Sequence, residues 1–275
     1  MKLSVYNIEG KDLGREVELS DAVFGLEMTD NLNHVVYLAV KQYLANQRQG
    51  THKAKQRNEI AGSTRKLHRQ KGTGGSRKGS IKNPLYHGGG RIFGPQPRSY
   101  EQRLNKKVKA LARKAVLSSK AQEGRIIVVE DFQWAAPKTK NYLDLLKNLP
   151  AGTSNLTDVK SLLVIKTPVA PAMPVKMRFP HKVRGAKKRS QHDVFIKQYI
   201  DSLADYKASF AAYETAKVAY DAQMTTTYNN IYLSSRNIPN AATSRASMLN
   251  TYDIINTQYL ILSESALEQL TLALS

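Results

Sequence analysis

The feature that most constrains the fold is the stretch of residues 46–100, which has too few apolar side chains to build a core. It contains 13 Lys and Arg and a single acid, Glu59, so its net charge is +12. The same stretch holds 10 of the chain's 16 glycines, while Leu, Ile, Val and Phe are almost absent. A segment of this composition cannot offset its ordering entropy by burying apolar surface. We therefore predict a long extension that is disordered in the free protein.

The whole chain is basic as well. Its 275 residues carry 42 Lys and Arg against 22 Asp and Glu, a net charge of +20. A surplus of this size favours a polyanionic partner, most often nucleic acid and less often an acidic membrane surface. The chain has no Cys, which excludes disulfides, thiolate metal sites and Cys nucleophiles. No apolar run approaches the roughly 18 to 20 residues that span a bilayer. We expect a soluble cytoplasmic protein without a membrane partner.

A second basic stretch covers residues 166–192, with eight Lys and Arg and no acid. Its four prolines predict an extended arm rather than a helix. Beyond it, Tyr recurs every seven positions, at Tyr199, Tyr206, Tyr213 and Tyr220. Leu203 and Phe210 lie four positions after the first two of these Tyr. This spacing predicts one stripe along a helix of about 193–224. The stripe can pack on the protein's own body or on an external partner. The Pro-rich arm favours the external partner.

The remaining segments alternate between strand and helix patterns. Strands are predicted at residues 3–6, 16–19, 125–130, 161–165 and 259–262, and helices at 32–44, 105–122, 139–149, 252–256 and 263–273. The apolar side of the helix at 105–122 is predicted to include Leu111, and Ser263 is the predicted N-cap of the last helix. Such alternation predicts a three-layer α/β/α fold with a mostly parallel central sheet. The predicted domains are a body of 1–48, 101–165 and 227–275, an extended loop of 49–100, and an insert of 166–226 made of the arm 166–192 and the helix.

No motif supports catalysis. The run from Gly74 to Ser80 resembles a phosphate-binding loop but lacks its Lys, and it neither follows a strand nor opens a helix. The six His show no metal-ligand spacing, and no carboxylate pair or Ser/His/Asp group stands out. We expect no catalytic residue, no metal, no cofactor and no small-molecule substrate.

Residues 86–98 interleave Gly, Arg and Pro with aromatic side chains, a pattern that is typical of RNA binding. Arg supplies bidentate phosphate contacts, and aromatic rings stack on unpaired bases. The predicted RNA contacts comprise the cations and selected aromatic residues of the loop, the cations of the helix at 105–122, and the densest point of the second basic stretch. They are Arg48, Lys53, Lys55, Arg57, Arg65, Lys66, Arg69, Lys71, Arg77, Lys78, Lys82, Tyr86, His87, Arg91, Phe93, Arg98, Lys106, Lys107, Lys109, Arg113, Lys187, Lys188 and Arg189.

Several short motifs occur in an order that resembles the bacterial large-subunit ribosomal protein four family. They are Gln70-Lys71-Gly72-Thr73-Gly74, Gly79-Ser80-Ile81-Lys82-Asn83-Pro84, Gly88-Gly89-Gly90, Asn105-Lys106-Lys107 and Tyr232-Leu233-Ser234-Ser235-Arg236-Asn237. The resemblance implies a structural protein that binds large-subunit rRNA, neighbouring ribosomal proteins and the nascent polypeptide, and that assists early assembly. It also implies a helix at 229–237 and a strand near 243–246. By the same resemblance, the loop tip lines the constriction of the exit tunnel; its residues are Arg69, Gln70, Lys71, Gly72, Thr73 and Gly74.

The chain departs from the usual family pattern at 166–226, where most members pass almost directly from strand to helix. Gly75 and Ser76 also stand where many members carry a basic and a small residue. Two other function classes compete with the ribosomal one. An RNA chaperone or mRNA-binding regulator would use the same loop, and an enzyme would need catalytic groups that the sequence does not offer.

Overall fold

The computed structural model describes residues 1–150, 155–175 and 186–275, with 186–195 described for the backbone only. The chain divides into two compact units. One consists of Met1–Val36 and Lys106–Ser275, and the other is Tyr37–Asn105.

A six-stranded sheet forms the centre of the first unit. Its strands are β1 (Lys2–Tyr6), β2 (Asp12–Glu18), β3 (Ile126–Val129), β4 (Ser161–Ile165), β5 (Ala241–Arg245) and β6 (Tyr259–Ser263). The spatial order is β2-β1-β3-β6-β4-β5. Only the β1–β2 pair is antiparallel, and the other pairs are parallel. The α/β class with a mostly parallel sheet is confirmed.

The eight α-helices of the described residues are α1 (Asp21–Phe24), α2 (Asp30–Asn46), α3 (Lys106–Gln122), α4 (Thr139–Asn148), α5 (Ala186–Met224), α6 (Asn230–Ser235), α7 (Thr251–Asn256) and α8 (Glu264–Leu274). Ser263 caps α8, because its hydroxyl accepts a hydrogen bond from the amide of Ala266 at 3.3 Å. Helix α1 has no sequence signal, because its four residues are too few to show a helical period.

The sheet has an apolar layer on each face because its strands alternate. Leu162, Val164, Leu260 and Leu262 point to the layer that includes side chains of α1, α3, α7 and α8. The intervening Leu163, Ile165 and Ile261 point to the other layer, with Tyr142 of α4 and Ile231 of α6. Burial raises the pKa of Tyr142 to about 12. The three-layer arrangement follows directly from this period of two.

The structure corrects two predictions about helices. The basic stretch 166–192 was predicted to be extended, yet its last residues, 186–192, form the first turns of α5. The final Pro of the stretch is Pro180, so no ring interrupts hydrogen bonding beyond it. On α3, Leu111 was predicted to lie on the apolar side but is exposed, while Leu117 is fully buried.

The predicted helix of 193–224 lies within α5, which does not end where the body resumes. A π-helical stretch, Thr225–Asn229, joins α5 to α6 with helical backbone angles at both junctions. Within α6, Asn230 is buried and its side-chain amide donates to the carbonyl oxygens of Trp134 and Ala135 at 2.6 and 3.1 Å. The C-terminal end of α5 is thus connected without a loop to a helix that is fixed in the core.

Candidate nucleic-acid interface

The second unit carries most of the predicted RNA contacts. Beyond the end of α2, residues 47–105 form no helix or strand, but backbone hydrogen bonds join the outgoing and returning arms of the loop. They run from Arg98 to Gly50 (3.2 Å), Ala54 to Pro95 (3.0 Å), Arg91 to Lys55 (3.0 Å) and Leu67 to Gly79 (3.1 Å), donor named first. The loop in the structure is therefore a doubled-back pair of arms. Its predicted disorder in the free protein stays a prediction.

The base of the loop is closed by an aromatic ring between two guanidinium groups. Arg48 and Arg98 lie over the ring of Tyr100, with Cζ at 3.9 and 4.6 Å from the ring centroid. A hydrogen bond from Arg98 is the main cause that lowers the pKa of the Tyr100 hydroxyl. Gly50 permits this contact, since a Cβ at that position would lie 2.2 Å from the carbonyl oxygen of Arg98. An open groove of about 610 Å³ adjoins this base and is lined in part by Arg48 and Arg98.

Tyr100 was missed by the sequence reasoning. The sequence does show that Tyr100 lies two positions after Arg98. It does not show that Arg48, from the other arm of the loop, stacks on the same ring. Two cations stacked on one ring keep their charge while their side chains lose freedom. The base thus presents two oriented guanidinium groups, a suitable arrangement for phosphate.

A close approach of the arms explains the Gly88-Gly89-Gly90 motif. A Cβ on Gly89 would lie 2.0 Å from the carbonyl oxygen of Asn83, and one on Gly90 would lie 2.4 Å from the amide of Arg57. These glycines therefore serve packing within the loop. The backbone of Gly90, which precedes Arg91, therefore lies directly against the backbone of Arg57.

The distal part of the loop is open to solvent. Every residue from 61 to 77 is exposed, and the hydrogen bond from Leu67 to Gly79 closes the end of the loop. All six predicted tip residues lie in this end. Gly72 and Gly74 have φ of +79° and +66° with nothing within 4 Å of a hypothetical Cβ, so they provide bends rather than close contacts.

Phe93 has the most unusual geometry in the loop. It is the only non-Gly residue with positive φ, 52°, among the described residues, and its side chain is 103% exposed. Hydrogen bonds hold Arg91 against Lys55 and Pro95 against Ala54, and the exposed Ile92 and Phe93 form a bulge between them. A bulky residue in this backbone region costs roughly 1–2 kcal/mol. The strain and the exposure together indicate a ring that is held out for contact.

The loop's electrostatic surface is almost entirely positive. Its one acid, Glu59, is paired with Lys53, whose ammonium group lowers the pKa of that carboxyl. All the predicted cations of the loop are exposed except Lys78 and Lys82, which are half-buried. Lys78 lies 5.9 Å from the ring centroid of Tyr86, while His87 is exposed. The two predicted aromatic contacts thus differ, because Tyr86 belongs to a cation–π pair and Phe93 projects alone.

In the first unit, α3 supplies the other predicted cations. It contains no acid; Lys106 and Lys107 are exposed, and Lys109 and Arg113 are half-buried. Lys120 is different, because its ammonium donates to the carbonyl oxygen of Thr257 at 2.7 Å, and burial lowers its pKa. Lys120 therefore stabilises the fold.

The predicted contacts Lys187, Lys188 and Arg189 lie in the first turns of α5, and their side chains are outside the described residues. Among the described residues, no group of three or more His, Asp or Glu could hold a metal ion. No helix among them is long and apolar enough to cross a membrane.

Comparison with known proteins decides which family has this combination of an α/β body and a basic loop. The family model described as "Ribosomal protein L4/L1 family" matches residues 17–273. The chain belongs to this family.

Its relatives share most of its length. A protein of Parabacteroides distasonis named large ribosomal subunit protein uL4 is 44% identical over 266 residues, which cover 97% of this chain and 95% of the relative. The protein of the same name from Phocaeicola vulgatus is 42% identical over 275 residues, covering both chains completely. A third, from Flavobacterium psychrophilum, is 61% identical over 165 residues, 60% of this chain and 75% of the relative.

Family membership confirms the resemblance and settles the coarse function. The chain is a structural ribosomal protein of the bacterial cytoplasm and not an enzyme. The match to the Phocaeicola protein spans both chains from end to end, so it includes residues 166–226. That segment is therefore not an addition peculiar to this chain.

Proposed function

We propose that the protein is a constituent of the large ribosomal subunit, that it binds large-subunit rRNA through its loop and the basic face of α3, and that it assists early assembly. The observation that carries the proposal is the exposed stretch 61–77, which holds five cations and no acid at the end of two paired arms; the cations are Arg65, Lys66, Arg69, Lys71 and Arg77. A narrow cationic structure of this kind suits the interior of folded RNA, where phosphates surround it on several sides.

Binding orders the loop and releases counterions from the RNA. Ordering costs conformational entropy, and charge-assisted phosphate contacts offset that cost. In the ordered loop, the hydrogen bonds between the arms and the Tyr100 stack add contacts that offset a further part of this cost. Neighbouring ribosomal proteins would contact the parts of the body that rRNA leaves uncovered.

The finer role of the loop concerns its tip. Arg69, Gln70, Lys71, Gly72, Thr73 and Gly74 would line the constriction of the exit tunnel and meet the nascent polypeptide. Their exposure supports this role, as does the positive φ of Gly72, which turns the chain at the end of the loop. The domain arrangement remains part of the proposal, with 49–100 as the RNA-penetrating loop and 166–226 as an insert in the body.

The salt dependence of RNA binding tests the proposal. If about ten phosphates are neutralised, log K should fall against log salt with a slope on the order of −7 to −9. Replacing Arg65, Lys66, Lys78 and Lys82 by Ala should flatten the slope by about three to four units.

A matched control removes the same charge elsewhere. Lys138, Lys140, Lys147 and Lys160 are exposed lysines outside the predicted interface, and changing them to Ala should leave the slope nearly unchanged. An equal effect of both quadruple variants would show that general charge, and not the loop, binds the RNA. High-salt sedimentation then separates a stable subunit component from an RNA chaperone or regulator, which would be washed off.

A further inference from the structure

The long helix α5 has a seam whose chemistry differs from that of the rest of the chain. Nine residues, spaced alternately three and four positions apart, share one side of the helix. They are Ile196, Tyr199, Leu203, Tyr206, Phe210, Tyr213, Lys217, Tyr220 and Met224. We call this set the α5 seam. It continues without a break for four heptads, and a period of 3.5 residues is the pattern of helices that pack along one another.

The structure shows that the α5 seam is not core. In the described stretch 196–223, no residue is buried, and Met224 is the first buried side chain at the junction with the body. The seam residues other than Lys217 and Met224 are half-buried, partly through contact with one another. The ring centroids of Tyr206 and Phe210 lie 5.8 Å apart, and those of Phe210 and Tyr213 lie 6.0 Å apart. The alternative that the stripe packs in the protein's own core is therefore excluded for these residues, while the favoured external partner stays a prediction.

The charge of α5 identifies the kind of partner. Residues 196–224 contain three Lys and four acids and no Arg, a net charge of −1 in a chain whose total is +20. Asp201, Asp205, Glu214 and Asp221 would repel phosphates, and all four are exposed. A surface that bound RNA would lose affinity at each of these positions. Residues 196–224 are therefore poorly suited to binding RNA, in contrast to the basic loop of 49–100.

The side opposite the seam has no aromatic residue, and its charged side chains include Lys197 and Asp201. It carries Ala204, Ala208, Ala211 and Ala222, which offer neither anchors nor charge. Tyr and Phe, by contrast, are enriched at protein interfaces, because they bury a large area and the Tyr hydroxyl keeps a polar partner at the rim. Glu214 and Asp221 directly follow seam tyrosines, so the C-terminal half of the seam has an acidic border.

We propose that the α5 seam docks an amphipathic α-helix of another ribosomal protein, with basic residues of that helix facing Glu214 and Asp221. The proposal rests on the proposed function for the chain's location on the large subunit. The π-helical junction supports the proposal, because it makes α5 continuous with the buried α6. That connection restricts the direction in which the α5 seam faces. Ring contacts along the seam also restrict the side chains before docking, which lowers the entropic cost of binding.

The test places a photo-reactive residue on the seam within intact large subunits. Tyr213→p-benzoylphenylalanine lies on the seam, and Thr215→p-benzoylphenylalanine lies on the opposite, exposed side as the control. We expect the seam probe to cross-link to a peptide from an amphipathic helix of one large-subunit protein, in a product that resists nuclease. The control probe at position 215 should give at least tenfold less of this cross-linked product.

A second pair of variants tests the contact itself. In the seam-probe chain, Phe210→Glu should reduce the cross-link at least tenfold, and Ala208→Glu, which adds the same charge on the back of the helix, should leave it unchanged. A nuclease-sensitive product would identify RNA as the partner and overturn the proposal. Cross-links to the chain's own body or to a second copy, or no cross-link in subunits that contain the chain, would overturn it as well. Absence of the chain from large subunits would instead overturn the proposed function.

Discussion

At the scale of single residues, the loop combines two ways of holding a side chain ready. Arg48 and Arg98 are fixed by stacking on Tyr100, which orients two charges. Phe93 is fixed by backbone geometry, because the hydrogen bonds on either side of its bulge leave it in a left-handed conformation. The two stacked guanidinium groups suit a phosphate, because their positive charges attract and orient it. The exposed ring of Phe93 suits an unpaired base, which needs a flat apolar surface.

We expect Phe93→Ala to weaken binding to large-subunit rRNA by about 1–3 kcal/mol, roughly 5- to 150-fold, because stacking of one base is lost. The salt slope should not change, since no phosphate contact is removed. Ile92→Ala is the control, because Ile92 directly precedes Phe93 in the same bulge and is 58% exposed. Titration of the RNA at several salt concentrations measures both quantities. Equal losses for the two variants would mean that the bulge acts by shape and not through the aromatic ring.

At the scale of secondary-structure elements, the strands and amphipathic helices could be predicted from local pattern. Residues 126–129 are all apolar and all buried in β3, and β4 has the predicted bounds. Ser263 was predicted as the N-cap of the last helix and is confirmed. These features depend on neighbours in the sequence, so periodicity and capping chemistry are sufficient to find them.

Other features of the elements depend on distant residues and could not be predicted. Leu111 fits an apolar stripe on α3, but packing against the sheet decides which side of that helix is buried. Leu117 lies on the buried side, and Leu111 does not. The Tyr100 stack requires Arg48 from the opposite arm. The helical continuation from α5 into α6 depends on a π-helical stretch that has no recognisable sequence signal. In each case a contact between separate segments decides the outcome.

The loop tip gives a prediction at this scale. Gly72 has φ of +79°, whereas Gly75 has an ordinary φ and only one atom, at 4.0 Å, near a hypothetical Cβ. We expect Gly72→Ala and Lys71→Ala to change the response of ribosomes to tunnel-binding antibiotics, because the first strains the bend and the second removes a charge. Gly75→Ala should have little effect.

Inhibition of translation by such antibiotics, measured with ribosomes shown to contain each variant, provides the comparison. The melting temperature of the isolated protein should be the same for all three variants, since the tip contributes nothing to the core. An unchanged antibiotic response for Lys71→Ala would contradict the placement of Lys71 at the constriction.

At the scale of the whole molecule, the chain combines parts with very different resistance to opening. The sheet and its helices bury a continuous apolar layer on each face, while residues 61–77 bury nothing. Regions with few buried contacts open at little free-energy cost, and core elements open only with global unfolding. The same chain therefore offers trypsin two classes of lysine and arginine. Those of the distal loop are exposed, and Lys120 is only 8% exposed.

We expect limited trypsin digestion of the free protein to cut first at Arg65, Lys66, Arg69, Lys71 and Arg77, and to leave Lys120 intact until the body unfolds. Large-subunit rRNA should slow the loop cuts at least tenfold, because bound RNA covers the backbone and restricts it. The rate at Lys120 should not change, which makes it the internal reference for protease activity. Mass spectrometry of the early fragments assigns the sites. Early cleavage at Lys120 would show that the first unit is not a stable body by itself, and equal loop cleavage with and without RNA would show that the loop stays outside the RNA.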